Sequence, residues 1–269
     1  MAESIQGRLL WYQLNTTNAE KGLEFYRGLI GWGLDIFQPE GSPPYRMITR
    51  GGMPIGGVME LPPEAAEAGA PPHWLVYIGA DDVDATHDKA VAAGAKSHVP
   101  PSDIPEVGRF AVLADPWGAI FAIYAPGSQP PPEVPCVDGD FSWHEISADD
   151  LEKSWSFYQD LFGWEVRSEF DMGPEMGPYR MFARPGAERM VGGMYKRPAE
   201  MPVNAWGIYV QVPSVAASAE KAEKAGAKVV MPIMEVPGGD LIVCLTDPQD
   251  VYFALHQKNA GAGDCPAES

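Results

Sequence analysis

The segment Leu23–Trp32, "LEFYRGLIGW", returns as "WSFYQDLFGW" at 155–164. That recurrence decides how the chain is organised. "AGAK" at 93–96 comes back at 225–228, and "ADPWGAIFAIY" at 114–124 comes back as "TDPQDVYFALH" at 246–256, all at one constant offset. "PYRM" at 44–47 and "IGGVM" at 55–59 reappear at 178–181 and, as "VGGMY", at 191–195, slightly out of that register, so insertions fall in loops. Ordered self-similarity of this kind marks a duplicated folding unit.

Within each copy the pattern reads strand, helix, then strands, twice over. The first strand is "RLLWYQLNT" or "FSWHEIS". A helix follows, with Asn18 or Asp149 as its N-cap and with Leu151, Trp155, Tyr158 and Phe162 recurring on one face in the second copy. Short strands at "GLDIF", "YRMITR" and "IGGVME" are punctuated by glycine and proline. The second module opens on "WLVYIGA" or "WGIYVQV", continues through a helix that stops at the glycine of "AGAK", and closes on "FAVLAD" and "AIFAIYA". The boundaries implied are 1–126 and 141–258 for the two domains, 127–140 for a stiff proline-rich linker, and 259–269 for a loose tail.

Composition sets the class. With 269 residues and 45% hydrophobic content, each half can bury a core of its own. Thirty-seven acidic against 19 basic residues leave a net charge of −18, which repels nucleic acid and anionic membranes. Cys136, Cys244 and Cys265 are far apart and lack a CxxC spacing, which suits a reducing, cytoplasmic setting. The first residues lack a signal-peptide pattern, and no apolar run approaches the roughly 18 residues of a membrane span.

The "FY…LxGW" helix end, the strand running into "DDV", the "AGA" stop and the closing "DPxGxxFxxY" strand, in order and twice, resemble the vicinal oxygen chelate superfamily. This is the glyoxalase, bleomycin-resistance and extradiol-dioxygenase fold. The resemblance implies an α+β architecture: two tandem domains, each with two βαβββ modules in a cupped eight-stranded mixed sheet, helices outside. It also implies an internal pseudo-dimer, hence a monomer or weak homodimer.

Metal-using members of the superfamily place ligands on the first strand, on the last strand of the first module, on the mid-domain strand and on the closing strand. Carried onto this chain, those places fall on Trp11, Glu60, Leu75 and Ala122, and on Trp143, Lys196, Gly207 and Ala254. Only Glu60 among them is a ligand type, so no metal or other cofactor is expected. A two-residue slip keeps the strand face. It would bring in Gln13, His73 and Tyr124 in the first copy and Glu145 and His256 in the second, the one route to a divalent metal.

The adjacent pair His144 and Glu145 is split by strand alternation. His144 is expected on the far face as a structural histidine, with Glu145 in the cup, where Glu145 and His256 would form an acid–base pair on neighbouring strands. His73 is read as a rim residue, His87 as an exposed helix residue and His98 as a loop residue, while Arg46 and Arg180 suit surface ion pairs. Trp11, Gln13, Tyr45 and Tyr77, with Trp143, Tyr179, Tyr209 and Tyr252, are the expected lining of two aromatic pockets. The function expected is metal-independent binding of flat or aromatic small molecules. The alternative is a glyoxalase-like lyase or hydroxylase acting on small carbonyl or polyketide-type substrates.

Overall fold

Each copy of the duplicated helix is built by the same local rules. In the computed structural model, which describes residues 3–38, 43–130, 133–199, 201 and 203–259, α1 spans Ala19–Ile30 and α4 spans Leu151–Phe162. Asn18 caps α1 by accepting from the Lys21 N–H. Asp150, not Asp149, caps α4 by accepting from the Lys153 N–H. Asp149 instead pairs with Arg197. Both helices stop where Gly31 (φ 88°) and Gly163 (φ 70°) turn left-handed and return an N–H to the preceding turn, a conformation a side chain would strain. The tryptophan that follows is buried in each copy, Trp32 donating to the Gly139 carbonyl at 2.7 Å and Trp164 to that of Gly7 at 3.1 Å.

The first copy continues through β1 (Leu9–Thr16), β2 (Gly33–Phe37), β3 (Tyr45–Arg50), β4 (Met53–Glu60), the short α2 (Pro63–Glu67), β5 (His73–Gly79), α3 (Val83–Ala92), β6 (Lys96–Ile104), β7 (Gly108–Ala114) and β8 (Ile120–Pro126). The second runs through β9 (Phe141–Ala148), β10 (Glu165–Asp171), β11 (Pro178–Ala183), β12 (Met190–Lys196), β13 (Trp206–Gln211), α5 (Val215–Lys224), β14 (Lys228–Glu235), β15 (Leu241–Thr246) and β16 (Tyr252–Gln257). The strands form two eight-stranded mixed sheets with matching orders, β2-β3-β4-β1-β5-β8-β7-β6 and β10-β11-β12-β9-β13-β16-β15-β14. The α+β class and the two-module plan are as expected.

Two elements depart from the sequence reading. Residues 63–67 form a short helix, α2, which the strand–helix–strand reading did not include. His98, expected in a loop, lies exposed in β6. Pro100 and Pro101 argue against a strand there, but β6 is the last strand of its sheet and its pairing with β7 shifts register on both sides of Val99. An edge strand with bulges tolerates residues that cannot donate to a ladder.

Compact packing does not follow the repeats. One unit gathers the chain up to Trp11 with Leu75–Glu133 and Trp143–Trp206; the other gathers Tyr12–Trp74, Val134–Ser142 and the chain from Gly207. Each therefore combines the second module of one copy with the first module of the other. The motifs that recur in sequence are the ones that close these units. In the first unit Tyr158 of α4 donates to Asp115 at 3.0 Å and accepts from Trp206 Nε1 at 3.3 Å, beside Phe121 at 5.6 Å. In the second, Tyr26 of α1 accepts from Trp74 Nε1 at 3.2 Å, faces Asp247, and meets Phe253 at 5.3 Å. Burial raises all four acidic groups, the phenols well above their ordinary range.

His144 is buried, as strand alternation requires, and its Nδ1 lies 2.7 Å from the Val191 carbonyl. Desolvation lowers its pKa to about 4, ahead of the opposing hydrogen bond. Val191 being an acceptor, Nδ1 carries the proton and the folded ring is neutral.

Two stability measurements follow from this packing. Tyr158→Phe leaves a buried carboxylate and an indole N–H short of a partner, and should cost about 1–3 kcal/mol in chemical denaturation without changing the far-ultraviolet spectrum. Between the unfolded value near 6.5 and the folded value near 4, the unfolded chain binds the extra proton at His144. Stability should therefore fall as the pH drops through that window, by about 3 kcal/mol from this group. His73 and His98 shift in the same direction. His144→Gln should flatten the largest part of the slope in denaturation curves taken from pH 7 to pH 4.

Candidate functional site

The repeated "PYRM" and "GG" segments meet in space. In both copies an aromatic ring lies over a glycine: a Cβ on Gly57 would fall 1.9 Å from the Tyr45 hydroxyl oxygen, and one on Gly193 would fall 2.1 Å from that of Tyr179. The preceding glycines serve the ladder, since a Cβ on Gly56 or Gly192 would strike the backbone oxygen of Tyr12 or His144. The seat thus needs two glycines, one for the neighbouring strand and one for the ring.

What the ring reaches differs between copies. Tyr179, in the first unit, donates to Glu145 Oε1 at 2.7 Å and accepts from Trp143 Nε1 at 2.8 Å. Trp143 and Glu145 are half-buried, and Tyr179 is buried. The Tyr179 ring is stacked between Phe170 and Tyr195, with centroids at 5.1 Å and 6.1 Å. Burial, then the Glu145 charge, holds the Tyr179 phenol well above its ordinary range, so it stays a donor.

In the second unit Tyr45 donates to Gln13 Oε1 at 3.1 Å, and Gln13 Nε2 donates to Asn15 Oδ1 at 2.9 Å and toward Met59 Sδ. Asn15 Nδ2 lies 3.3 Å from His73 Nε2, while His73 Nδ1 lies 2.9 Å from the Pro71 carbonyl. The carbonyl fixes the proton on Nδ1, leaving Nε2 to accept. This is a neutral chain of donors and acceptors from tyrosine to histidine. His73 belongs to this network and is more than a rim residue; burial lowers its pKa.

Register decides which side chains share these faces. Gln13 pairs with Gly57 and Glu145 with Gly193, so Met59 and Tyr195 share their faces, whereas Glu60 pairs with Thr16 and Lys196 with Ala148 on the opposite ones. Glu60, the one ligand type at the superfamily positions, is therefore turned away. Leu75 and Ala122 form a buried apolar cluster with Tyr77, and Trp11, Phe110 and Tyr124 pack against it. Gly207 and Ala254 are buried and bring no donor atom. Among the described residues no three His, Cys, Asp or Glu side chains converge to hold a metal ion. The residues at the superfamily's ligand positions do not fit a divalent metal.

The expected Glu145–His256 pair is not assembled as drawn from the sequence. Strand β13 lies between β9 and β16, so the two residues are not on neighbouring strands. Glu145 is engaged by Tyr179, whereas His256 contacts Asp240 at 2.8 Å and Ser142 at 2.9 Å. Tyr77 and Tyr209 are buried; Tyr252 and Trp11 are half-buried. Arg180 pairs with Glu152 and Glu169 and lies 5.6 Å from the Trp155 ring centroid; it makes an ion pair, but from a buried position and not from the surface position expected. His87 is half-buried, its Nε2 lying 2.9 Å from Ser97 Oγ. Cys244 is buried; Cys265 and residues 260–269 of the expected tail lie outside the described residues. Asn15, Met59, Phe170 and Tyr195 were not singled out in the sequence. The strand parity that places Tyr195 beside Tyr179 was the available signal.

The family model for the Glyoxalase/Bleomycin resistance protein/Dioxygenase superfamily matches residues 8–123 and 141–255. The chain belongs to that superfamily. A relative of this superfamily member, the Mycobacterium bovis protein "Putative glyoxylase CFP32", is 32% identical over 255 residues, covering 94% of this chain and 96% of the relative. The "Anthracycline biosynthesis protein DnrV" of Streptomyces peucetius is 30% identical over 173 residues, 61% of this chain and 63% of that protein. Among solved structures, a 4-hydroxymandelate synthase mutant from Streptomyces coelicolor superposes with a TM-score of 0.66 at 14% identity, covering 96% of this chain and 94% of that one. The Mn(II)-bound glyoxalase from Novosphingobium aromaticivorans gives 0.62 at 15% identity, covering 96% and 83%. At such identities the superpositions establish the shared fold of this superfamily member and nothing of its chemistry.

The glycine seat has a direct test. Gly193→Ala should displace the Tyr179 ring and destabilise the protein by about 1–3 kcal/mol. In a Tyr179→Ala background the same change should cost less, a coupling read by a double-mutant cycle in denaturant.

Proposed function

We propose that this superfamily member binds flat or aromatic small molecules without a metal, with Trp143 and Tyr195 as stacking surfaces and Glu145 as the polar anchor. The observation that carries this reading is the indole at the superfamily's first ligand position. Trp143 donates to Tyr179 and gives a half-buried aromatic surface where metal-using members place a ligand. Leu75 and Ala122, in the same unit, are aliphatic at two further positions. A wall of aromatic faces with one acceptor suits a planar ligand whose edge carries a hydrogen-bond donor. The neutral network of the first copy, Tyr45–Gln13–Asn15–His73, would take an uncharged polar edge by the same logic. The exchange of half-repeats between units fits an internal pseudo-dimer in one chain.

A second reading is favoured by the 2.7 Å contact of Tyr179 with Glu145. A half-buried carboxylate oriented by a protonated phenol offers a proton acceptor at one side of a substrate. That arrangement suits turnover of a small carbonyl or polyketide-type molecule, and the names of two relatives, a putative glyoxylase and an anthracycline biosynthesis protein, fit the same chemistry.

Titration with a hydroxyanthraquinone panel, followed by tryptophan emission, separates the readings. Saturable quenching that survives chelator, with the Kd weakened on the order of tenfold in Trp143→Ala, is expected for stacking worth about 1.4 kcal/mol. Quenching that appears only after Mn(II), Ni(II), Zn(II) or Fe(II) is added, or near-stoichiometric metal in protein purified without chelator, would remove the metal-independent reading. Disappearance of the carbonyl ligand with time, abolished by Glu145→Gln, would establish turnover.

A further inference from the structure

The second compact unit holds a three-residue arrangement that the proposed function does not use. His256, near the end of β16, has Nδ1 2.9 Å from Ser142 Oγ and Nε2 2.8 Å from Asp240 Oδ2. The second carboxylate oxygen, Asp240 Oδ1, accepts the Asn259 N–H at 2.8 Å. Both oxygens of Asp240 are thereby held. A carboxylate only accepts, so Nε2 carries the imidazole proton and Nδ1 is the basic nitrogen facing the serine. The Ser142 hydroxyl then donates to His256; its other acceptor, the Tyr209 carbonyl, is farther away at 3.4 Å.

We propose that Ser142 is a nucleophile for acyl transfer from activated esters, with His256 as its general base and Asp240 as the residue that positions His256. Nucleophile, base and orienting carboxylate in hydrogen-bonded sequence are the signature of an activated serine on any fold. The fold itself does not call for this arrangement. At the matching places the first copy has Leu10, Tyr124 and Gly108, and there Tyr124 donates to the Val107 carbonyl. The same corner of the duplicated domain is therefore built without a serine, a histidine or an acid. Ser142 is half-buried and the His256 side chain retains 15% exposure, so both have a solvent-facing side.

The chemistry balances within the site. The Oγ–H proton passes to His256 Nδ1 as Oγ bonds to the ester carbonyl carbon. The carbon–oxygen bond to the alcohol breaks, and the departing alkoxide takes the proton from His256. Water then attacks the acyl-serine with His256 again as base, releasing the acid and restoring the hydroxyl. Asp240 keeps the proton of the resting imidazole on Nε2 and balances the charge of the imidazolium that forms.

The full chain treated with a fluorophosphonate probe should gain one adduct by intact mass, mapped to Ser142 by peptide sequencing. With p-nitrophenyl acetate, Ser142→Ala should abolish the protein-dependent release of nitrophenol. Asp240→Asn, which permits the wrong tautomer, should lower kcat by at least about tenfold with KM little changed. Thermal melts of both variants establish that they are folded. An unlabelled wild-type protein, an adduct elsewhere that persists in Ser142→Ala, or an unchanged kcat in folded Asp240→Asn would each overturn the assignment and leave the three residues as a tie between β9 and β16.

Discussion

The Tyr158 hydroxyl, donating to Asp115 inside a shell of aromatic rings, is the contact on which the rest of the molecule depends. It joins the first helix of one copy to the closing turn of the other. Asp115 spends its remaining capacity on the backbone N–H groups of Trp117 and Ala119, so one carboxylate shapes the turn and receives the helix. Such a group is stabilising only when every lone pair is occupied, because an unmatched buried carboxylate costs more than its hydrogen bonds return. In the second unit Tyr26 faces Asp247, whose Oδ1 likewise accepts the backbone N–H groups of its turn, from Gln249 and Val251.

Much of this architecture was legible in the sequence because its causes are local. A left-handed stop needs glycine, a buried helical face needs a period near four, and both recur in "LEFYRGLIGW" and "WSFYQDLFGW". The burial of His144 and the placing of Glu145 on the opposite strand face followed from strand alternation alone. Less legible was everything set by long-range choice. Asp150 takes the cap that Asp149 could have taken because Arg197, 48 residues away, claims Asp149. The edge position of β6, which excuses its two prolines, is a property of the finished sheet. Glu60 matches a superfamily ligand in sequence yet faces away, since one residue of register exchanges the two faces of a strand. Nothing local says that half of each repeat packs with half of the other.

The two copies show how duplication separates structure from chemistry. The glycine pair, the tyrosine above it and a buried tyrosine facing an aspartate are common to both. The residue under the tyrosine hydroxyl is not: Gln13 extends a neutral chain to His73, whereas Glu145 brings a negative charge and an indole partner. Likewise Ser142, His256 and Asp240 occur only where the first copy has aliphatic, aromatic and glycine residues. Scaffold positions resist change because each has a steric or buried polar partner, and positions facing solvent are released from that constraint.

The seat beneath Tyr45 and Tyr179 also limits how this protein can change over time. A lone mutation of Gly57 or Gly193 meets a ring at less than van der Waals distance, and loss of the ring alone opens a void above the glycine. Neither step is easy without the other, so tyrosine and glycine form a pair that is inherited or lost together. A descendant that kept the glycine doublet but had shed the tyrosine would have an emptied shelf, ready for whichever ligand edge could fill it.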